Sequence, residues 1–462
     1  MDITLSNDIR IVNPDNRILD WAEESLILSN PEYLKDLKVG IGKHVKGGLS
    51  VYDKKTKTHK LVPAKVELFW TDGDILHLPS GCMQDLEHLL GEDFYFDLER
   101  DIPEEVQYEE VDLSERSFQP EAVSEVLSSI MSPFKPCGGI LISPCGSGKT
   151  RMALAAASAC RVRTLWLTHN STLMNQSKSA AESLFGKEGM GTITNGKMNI
   201  GKRITFATVQ TMSRIELSRF KNIWGLVIVD ECHHCVGSEA QVTMFSSIIN
   251  ALNAVKIGVT ATPDRADTLI RSMYALIGPV LYEVSNEDLG DYQCPVKYIR
   301  RDLRTSIDIT ECFSKSGTIC APLLMAQLIR NKDRFVDLID IINSAPKPCL
   351  VLSCRLEHLD MIHEYFPDSA LLKKDRTSTA DITLATYQLV SEGYDRPDLN
   401  CIILATPENN ATRIRQSVGR IQRPYPGKEC GTVIDLVDIC DYRRWQTWGN
   451  QREKLIKSLN TD

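Results

Sequence analysis

No stretch of this 462-residue sequence approaches the roughly eighteen uninterrupted apolar residues that a membrane-spanning helix requires. The N-terminal segment MDITLSNDIR lacks a basic stretch followed by an apolar run, so we expect neither a secretory signal nor a membrane partner. The 14 cysteines lack the regular spacing of a disulfide-stapled secreted domain. We therefore expect reduced thiols and a cytoplasmic or nuclear location.

An excess of positive charge is also missing. The chain has 53 lysines and arginines against 61 acidic residues, which gives a formal net charge of -8. This balance excludes a protein that coats nucleic acid by bulk attraction, so any such contact must come from a local basic groove. A zinc site is disfavoured as well, because Cys232 and Cys235 have no second ligand pair at a suitable spacing.

Short apolar segments alternate with helical stretches from about Leu113 onward, which predicts parallel sheets covered by helices. The segments are TLWLTH, ITFATV, GLVIVDE, KIGVTAT, CLVLSC, ITLATY, CIILATP and GTVIDLV. They are too many for one nucleotide-binding core, so we predict two tandem α/β domains, residues 113–285 and 286–440. Residues 1–112 predict a small β-rich or mixed accessory domain that ends in an acidic linker.

The motif LISPCGSGKT is an apolar strand that runs into a glycine loop and then into a helix-forming segment. Its loop residues are Gly146, Ser147, Gly148, Lys149 and Thr150. Glycines let backbone N–H groups turn inward around phosphates, while a lysine reaches the β- and γ-phosphates and a hydroxyl ligates Mg²⁺. Ser143 stands where the common pattern has glycine, but the flanking strand and helix still predict an ATP-binding phosphate loop.

A second motif, GLVIVDECHH, places two adjacent acids at the carboxyl end of an apolar strand, the edge where open sheets bind ligands. Asp230 is the candidate residue for holding Mg²⁺. Glu231 is the candidate catalytic base that orients and deprotonates the attacking water. An acidic strand end could be purely structural, but one about eighty residues after a phosphate loop indicates ATP hydrolysis.

These two motifs resemble motifs I and II of superfamily-two helicases and translocases of the DExH kind. Arg116 and Gln119 resemble the adenine-reading Q element, and residues 168–176 resemble motif Ia. Residues 207–212 resemble the next DNA-backbone motif, and residues 260–262 resemble motif III. In the second domain, LVLSCRLEHL resembles motif IV, ATYQLVSEGYDRPDLN resembles motif V, and QSVGRIQR resembles motif VI. The resemblance implies two tandem RecA-like domains and nucleic-acid-dependent ATP hydrolysis.

The same resemblance implies roles for residues of the second domain. Arg420 and Arg423 would be arginine fingers, since a guanidinium from outside the phosphate loop can meet the charge that develops on the phosphoryl group. Gln416 would contact His233 or the γ-phosphate. Two motif V residues would link the nucleotide to the nucleic-acid strand and to the neighbouring domain, namely Gly393 and Asp395.

Within the superfamily, DECH, TATPDRAD and QSVGRIQR resemble the XPB, UvsW and ResIII branch, with its phage and large-DNA-virus helicases, more than the DEAD-box RNA helicases. This favours duplex or branched DNA over RNA as the partner, ATP and Mg²⁺ as cofactors, and a viral or phage source. Two alternatives stay open, a motor subunit of a restriction or transcription complex without unwinding of its own, and an RNA helicase. The oligomeric state is also left open.

The front domain resembles DNA-engaging front domains of phage and viral helicases, and its basic stretch contains Lys43, Lys46, Lys54, Lys55, Lys57 and Lys60. This stretch either holds phosphates or is a solvated hairpin. Trp70 is expected in the core rather than as a base-stacking platform. We expect deletion of residues 1–112 to reduce a preference for forked DNA while sparing basal hydrolysis, because shape discrimination needs an extra surface.

The C-terminal tail, residues 441–462, predicts a basic helix. Its Trp445 and Trp448 are three residues apart and are expected to pack on the second α/β domain. A nucleic-acid contact is the lesser alternative for three arginines of this tail, Arg443, Arg444 and Arg452.

Overall fold

The computed structural model describes the whole chain except residues 54–56, 92–93, 101–103, 133–137, 145, 195, 262–268, 314–316, 318, 374–379, 392–393, 395 and 460–462. The chain divides into two compact units. The first holds residues 1–144 and 148–284, and the second holds residues 145–147 and 285–462. Across the described residues, every helix is too short or too polar to cross a membrane.

The first unit begins with a mixed front part. Its strands are β1 (Asp2–Leu5), β2 (Asp8–Val12), β3 (Ile27–Ser29), β4 (Lys43–Val45), β5 (Gly48–Asp53), β6 (Thr58–Pro63), β7 (Lys65–Glu67), β8 (Trp70–Asp72), β9 (Ile75–Pro79) and β10 (Asp97–Leu98). Its helices are α1 (Asn16–Leu26), α2 (Pro31–Val39) and α3 (Met83–Leu90). The largest sheet has the order β10-β1-β2-β9-β8, β4 to β6 form a separate antiparallel sheet, and β3 pairs with β7. The expectation of a β-rich or mixed module is confirmed.

The remainder of the first unit is a sheet with the order β14-β13-β15-β12-β16-β17-β11-β18. Its strands are β11 (Gly139–Ile142), β12 (Thr164–Thr168), β13 (Met190–Thr194), β14 (Lys197–Asn199), β15 (Ile204–Thr208), β16 (Leu226–Asp230), β17 (Val255–Thr260) and β18 (Val280–Glu283). The helices are α4 (Phe118–Ile130), α5 (Lys149–Cys160), α6 (Ser171–Phe185), α7 (Val209–Met212), α8 (Glu239–Ile249) and α9 (Ile270–Ile277). Its described strand pairings are parallel, apart from that of β13 with β14. The central strands are continuous apolar runs because helices cover both faces of the sheet.

The front part and this parallel sheet share one hydrophobic core. Buried residues of β2 and β9, such as Ile9 and Leu76, belong to the same cluster as Ile248 of α8 and Leu276 of α9. Gly81 lies at the junction, where an added Cβ would come within 2.4 Å of the Ala275 carbonyl oxygen. Removing residues 1–112 would open this core, so the expectation that they can be deleted with basal hydrolysis intact conflicts with the packing.

A buried lysine also joins the two parts. Lys256 of β17 is 1% exposed, and its ammonium donates hydrogen bonds to the Asn7 carbonyl oxygen at 3.2 Å and the Ser80 hydroxyl at 3.0 Å. Burial lowers the pKa of Lys256 well below its ordinary value, and the nearby Arg100 lowers it further. Without the front part this side chain would lose both partners.

The acidic stretch after α3 is not a free linker. Asp97 and Leu98 add a parallel strand beside β1. Farther on, Glu104 and Glu109 form ion pairs with Arg163 and Arg203, at 2.6 Å and 2.9 Å. The stretch therefore lies against the parallel sheet, with Glu104 and Glu109 paired to local arginines.

The second unit has a wholly parallel sheet with the order β19-β24-β23-β20-β22-β21. Its strands are β19 (Val296–Arg304), β20 (Cys349–Ser353), β21 (Ala370–Leu371), β22 (Ile382–Thr386), β23 (Cys401–Leu404) and β24 (Gly431–Ile439). Its helices are α10 (Asn286–Leu289), α11 (Ala321–Arg330), α12 (Lys332–Ser344), α13 (Leu356–Tyr365), α14 (Tyr387–Ser391), α15 (Ala411–Val418) and α16 (Arg444–Lys457). Every apolar segment predicted as a strand is a strand, and the predicted α/β class with two parallel-sheet domains is confirmed.

The C-terminal tail forms α16 and packs on this sheet. Trp445 is 2% exposed and lies in a core cluster with Ile307 and Leu328, and Trp448 packs against the same cluster. Arg452 is also buried, so the alternative of a nucleic-acid contact is wrong for this residue. Its guanidinium instead binds the Asp435 carboxylate of β24, with Nη2 to Oδ1 at 2.7 Å.

Candidate active site

Neighbouring parallel strands bring the predicted motifs to one edge of the first unit's sheet. Strands β16, β17 and β11 are adjacent and parallel, so their carboxyl ends meet at the same edge. The loop after β11 is joined to the end of β17 by a hydrogen bond from the Ser143 N–H to the Thr260 carbonyl oxygen at 2.8 Å. Ser143 at the start of the phosphate loop, Asp230 and Thr260 therefore share the edge where such sheets bind ligands.

The phosphate loop depends on two glycines in the left-handed region. Gly146 has φ 86° and Gly148 has φ 87°, a conformation that L side chains rarely adopt. Helix α5 begins at Lys149, so the loop leads directly into a helix N-terminus, where N–H groups point outward and favour anions. An added Cβ at Gly148 would lie 2.4 Å from Nε2 of Gln119, so a side chain here would force the Gln119 amide to shift.

The contact between Gly148 and Gln119 brings the predicted Q element next to the phosphate loop. Gln119 is 2% exposed and lies in the first turn of α4, and Arg116 is half-buried just before that helix. The backbone N–H of Gln119 donates to the Arg116 carbonyl oxygen at 3.0 Å. Gln119 thus packs directly on the phosphate loop, and its predicted role in reading adenine stays a prediction.

Lys149 and Glu231 form an ion pair. Nζ donates to Oε1 at 2.7 Å, and the side chains are 12% and 15% exposed. Glu231 follows β16 with φ 50°, an uncommon conformation for a residue with a side chain. Burial by itself would raise the pKa of Glu231, but the Lys149 ammonium and His233 outweigh it and hold this pKa below its ordinary value. The Glu231 carboxylate is therefore kept ionised, as a base must be.

Asp230 is the deeper of the two acids, at 6% exposed. Its Oδ2 accepts a hydrogen bond from the Ser177 hydroxyl at 3.0 Å. Burial raises the pKa of Asp230, and the neighbouring Glu231 carboxylate raises it further. Two adjacent carboxylates, that of Asp230 buried and that of Glu231 15% exposed, form a site at which a divalent cation relieves repulsion.

The residues present fit Mg²⁺. This ion is usually held by one or two carboxylates together with substrate phosphates, so it needs oxygen ligands but no dense protein cluster. Asp230 supplies a carboxylate and Thr150, half-buried in the first turn of α5, supplies a hydroxyl. Among the described residues there is no group of three or more His, Cys, Asp or Glu side chains that could hold a metal ion without a substrate.

His233 connects the acids to the predicted motif III. It is 4% exposed, and its Nδ1 lies 2.8 Å from the Thr260 hydroxyl and 3.5 Å from Oε2 of Glu231. Thr260 ends β17, so this contact ties the acidic loop to the next strand. Ala261 follows directly, and Thr262 lies outside the described residues.

Comparisons with known proteins show what this sequence is similar to. The sequence model of the ResIII family, described as "Type III restriction enzyme, res subunit", matches residues 112–265. The "Putative ATP-dependent RNA helicase L396" of Acanthamoeba polyphaga mimivirus is 28% identical over 341 residues, 65% of this chain and 60% of that protein. The "DNA 3'-5' translocase XPB2" of Sulfurisphaera tokodaii is 31% identical over 177 residues, 38% of this chain and 37% of that protein.

These matches confirm the resemblance to the superfamily-two helicases of the XPB, UvsW and ResIII branch, and with it the expected class of ATP-hydrolysing enzymes. A solved structure, "ATP-dependent Type ISP restriction-modification enzyme LlaBIII bound to DNA", matches 80% of this chain and 30% of that chain, with TM-score 0.51 and 16% identity. That likeness shows the fold alone. The chain spans about three fifths of the length of its viral relative.

In the second unit, the predicted motif VI spans the end of α15 and the following turn. Gln416 is 4% exposed on α15, and Arg420 and Arg423 are half-buried beyond it. Nη2 of Arg420 donates to the Val390 carbonyl oxygen at 3.3 Å. The predicted catalytic roles of these three residues stay predictions. Two further predicted residues, Gly393 and Asp395 of motif V, lie outside the described residues.

The structure also reveals residues of the candidate site that the sequence analysis missed. Ser177 is buried beside Met174 and Ala181 on the inward face of α6, and a polar residue in such a row is the signal that sequence alone offers. His169 and His234 stack ring to ring with centroids 4.1 Å apart. His234 stacks on His233 at the same distance. The sequence shows the doubled histidine after DEC, but the stacking depends on strand order.

Trp70 and the cysteines of the acidic loop lie in different surroundings. Trp70 is 42% exposed and stacks on His77 with ring centroids 4.8 Å apart. The expectation that it lies in the core is wrong because β8 is the edge strand of its sheet. Cys232 and Cys235 are both buried, at 0% and 3% exposed, and Sγ of Cys232 contacts the Met273 sulfur at 3.4 Å. Their place in the core explains both side chains without a metal.

Proposed function

We propose that this protein is a DNA-dependent ATPase that uses hydrolysis to translocate along, unwind or remodel duplex or branched DNA. The ion pair of Lys149 and Glu231 beside the buried Asp230, at the end of a glycine loop and a helix N-terminus, carries this proposal. It combines a phosphate ligand, a carboxylate base and an oxygen ligand for a metal. The resemblance to superfamily-two helicases adds the expectation that hydrolysis responds to nucleic acid.

The Lys149–Glu231 pair gives the proposal a definite order of events. Bound phosphates compete for the Lys149 ammonium, and when it moves to them the Glu231 carboxylate is released to accept a proton. The attacking water gives that proton to Glu231 as its oxygen bonds the γ-phosphorus and the bond to the β-phosphate oxygen breaks. Magnesium held by Thr150 and Asp230 would neutralise charge on the phosphates.

Hydrolysis is tested by two substitutions in the pair. We expect Glu231→Gln to lower the ATPase rate by about 10²- to 10⁴-fold, because a general base contributes that much. Lys149→Ala should abolish hydrolysis while binding of DNA persists, since strand contacts use other residues. Glu216→Gln is a matched control, because this glutamate is 63% exposed in the same unit. A normal rate in purified Glu231→Gln protein would refute the assignment.

DNA is the favoured partner because the sequence motifs lie closer to the XPB branch than to DEAD-box proteins. The names of the relatives differ on this point, since the viral relative is named an RNA helicase and the archaeal one a DNA translocase. A motor grips mainly backbone phosphates, which DNA and RNA share, so selection must come from an additional surface.

The sheet of β4, β5 and β6 is the candidate for that surface. Residues 31–63 contain eight lysines and three acidic residues, in a chain whose net charge is -8. Within the part of the chain that the structure describes, Lys43, Lys46, Lys57 and Lys60 are exposed; the other two lysines of the predicted stretch, Lys54 and Lys55, lie outside it. Helix α2 beside the sheet has no buried residue. The charge complements a phosphate backbone.

The same sheet presents aromatic side chains to solvent. Tyr52 is 52% exposed, and its ring lies edge-on to His59 with centroids 5.4 Å apart. Tyr52 of β5 and His59 of β6 are opposite each other in the antiparallel pairing. The next pair on that face is Ser50 and Leu61, and Leu61 is 52% exposed. Exposed aromatic rings beside lysines are the usual means of binding bases and backbone together.

DNA selection is tested by measuring ATPase stimulation with single-stranded, duplex and forked DNA and with RNA, at one fixed salt concentration. We expect forked DNA to stimulate more than RNA. Tyr52→Ala combined with Lys43→Gln should reduce this preference while leaving basal hydrolysis unchanged, and Lys187→Gln, an exposed lysine elsewhere in the unit, is the matched control. Stronger stimulation by RNA than by the fork would favour the RNA-helicase alternative.

A further inference from the structure

Residues 168–176 resemble motif Ia, which the family resemblance implies is a DNA-backbone motif, and are called the predicted nucleic-acid segment below. Helix α6 connects this segment to the acidic loop of the candidate active site. Asn170 caps the helix, because its Oδ1 accepts a hydrogen bond from the Leu173 N–H at 2.9 Å. The buried Ser177, farther along the helix, donates its hydroxyl to Asp230 at 3.0 Å. A rigid helix thus runs from the predicted nucleic-acid contact to the carboxylate that would hold Mg²⁺.

The histidine stack, consisting of His169, His234 and His233, is a second connection between the same two places. His169 directly follows β12, and its ring centroid is 4.1 Å from that of His234 with the planes tilted by 40°. His234 is 4.1 Å from His233 with a tilt of 37°. His233 in turn contacts Thr260 and Glu231. The stack therefore joins the start of the predicted nucleic-acid segment to the catalytic base.

The outer face of α6 is exposed where a nucleic-acid strand would bind. Ser171, Asn175 and Gln176 are exposed, whereas Met174, Ser177 and Ala181 face the core. A ligand on the outer face would bear on a helix whose inner face holds Asp230. Because packed helices move as rigid bodies between discrete arrangements, a shift of α6 cannot leave the Ser177–Asp230 geometry unchanged.

We propose that Ser177 and His234 are positioning residues through which nucleic acid bound along residues 168–176 sets the geometry of Asp230 and Glu231, and so makes hydrolysis nucleic-acid-dependent. The proposal rests on the proposed function, since it assumes a strand bound at this segment. The proposal predicts a coupling free energy between the two sites. Bound nucleotide must change the affinity for DNA by the same factor by which bound DNA changes the affinity for nucleotide.

The test is an equilibrium coupling factor. The affinity for a fluorescent non-hydrolysable ATP analogue is measured with Mg²⁺, in the absence and at saturation of single-stranded DNA, and the ratio of the two dissociation constants is the coupling. We expect His234→Ala and Ser177→Ala to reduce this ratio by about fivefold or more, the lower range of known couplings. The melting temperature and the DNA affinity in the absence of nucleotide should stay close to wild type, which a merely structural defect would not allow.

Conservative variants and controls separate the contacts from general damage. His234→Phe keeps a ring in the stack and Ser177→Thr keeps the hydroxyl, so both should retain most of the coupling. Ser183→Ala, exposed near the end of α6 and beyond residues 168–176, and His88→Ala, an exposed histidine in the front part, should behave as wild type. For Ser177→Ala we also expect half-maximal analogue binding to require more Mg²⁺, because the Asp230 carboxylate has lost its orienting donor.

The outcomes distinguish this proposal from the proposed function. If the wild-type protein shows neither coupling nor stimulation by nucleic acid, the proposed function fails and the positioning roles fail with it. If wild-type coupling is clear and both alanine variants retain it, the positioning roles are refuted while the proposed function stands. A loss of coupling in His234→Phe and Ser177→Thr as complete as in the alanine variants would also refute the roles assigned to ring stacking and to the hydroxyl.

Discussion

Arg452 is the residue through which the C-terminal helix stabilises the second unit, and Arg452→Met is the perturbation that tests this role. The guanidinium and the Asp435 carboxylate are 2% and 0% exposed. Nε lies 3.0 Å from both carboxylate oxygens, and Nη1 donates to the Glu408 carbonyl oxygen at 2.9 Å. Methionine has a comparable apolar stem but no donor, so the carboxylate loses its counter-charge.

The magnitude follows from what remains around Asp435. The Tyr298 hydroxyl still donates a hydrogen bond to its carboxylate at 2.9 Å, but a hydroxyl carries no counter-charge. Removing one partner of a buried ion pair costs about 3–5 kcal/mol, a large part of the about 5–15 kcal/mol that stabilises an ordinary domain. Burial already raises the pKa of Asp435 against the opposing effect of Arg452, so losing Arg452 raises it further. The destabilisation should therefore be greatest at neutral pH and shrink as acid protonates the carboxyl.

The assay is urea unfolding followed by hydrogen exchange and mass spectrometry, which reads peptides of the two units separately. Peptides of the second unit should lose protection at lower urea in Arg452→Met. The double variant Arg452→Met with Asp435→Asn should recover most of the loss, because it leaves no unpaired charge. Arg444→Met, on the exposed side of the same helix, should change stability by less than about 0.5 kcal/mol. A loss below about 1 kcal/mol in Arg452→Met, or a reduced DNA affinity at unchanged stability, would refute the reasoning.

Three other predictions concern the two units. Gly148→Ala should weaken ATP binding by at least about tenfold, measured by equilibrium titration, since φ is 87° and the new Cβ would meet Gln119 at 2.4 Å; unchanged affinity would mean that the loop adapts freely. Arg420→Ala should leave ATP affinity nearly intact while removing most hydrolysis, because a finger acts in the transition state; an equal, modest fall in both would make it a binding or structural residue. Burial, together with Arg334, lowers the pKa of His358 to about 3 from 6.5, so the unfolded chain binds the proton first and stability is lost as pH falls from about 6.5 to 3. His358→Gln should flatten the acid limb of a stability profile in that range, and an identical limb would contradict the assigned pKa.

The residues of the candidate active site are predictable because those that share a chemical role are consecutive in the sequence. A phosphate loop needs its glycines, lysine and hydroxyl in consecutive positions, so Gly146 to Thr150 stand together in the chain. Asp230 and Glu231 follow an apolar strand for the same reason. Strand adjacency at the sheet edge then places them near Lys149, as the 2.7 Å contact with Glu231 shows.

The front part is harder to predict. Its strands alternate apolar and polar residues, which reveals β structure, but not that its core continues into α8 and α9. Lys256 interrupts an apolar strand and is unremarkable in the sequence, although its ammonium binds Asn7 and Ser80 far away in the chain. The large apolar ring of Trp70 favours a core position, whereas its place on an edge strand exposes it.

The sequence by itself determined the fold class, the order of the motifs and the chemistry of the phosphate loop and acidic pair, because periodicity and consecutive spacing are local properties. Tertiary structure decided which side chains share an environment. In the structure Arg452, a candidate nucleic-acid contact, is the partner of a buried aspartate. The front part shares one core with the parallel sheet, and His169 stacks on His234. Such pairings depend on strand order and helix packing between residues distant in the chain, and a single sequence carries no signal of that distance.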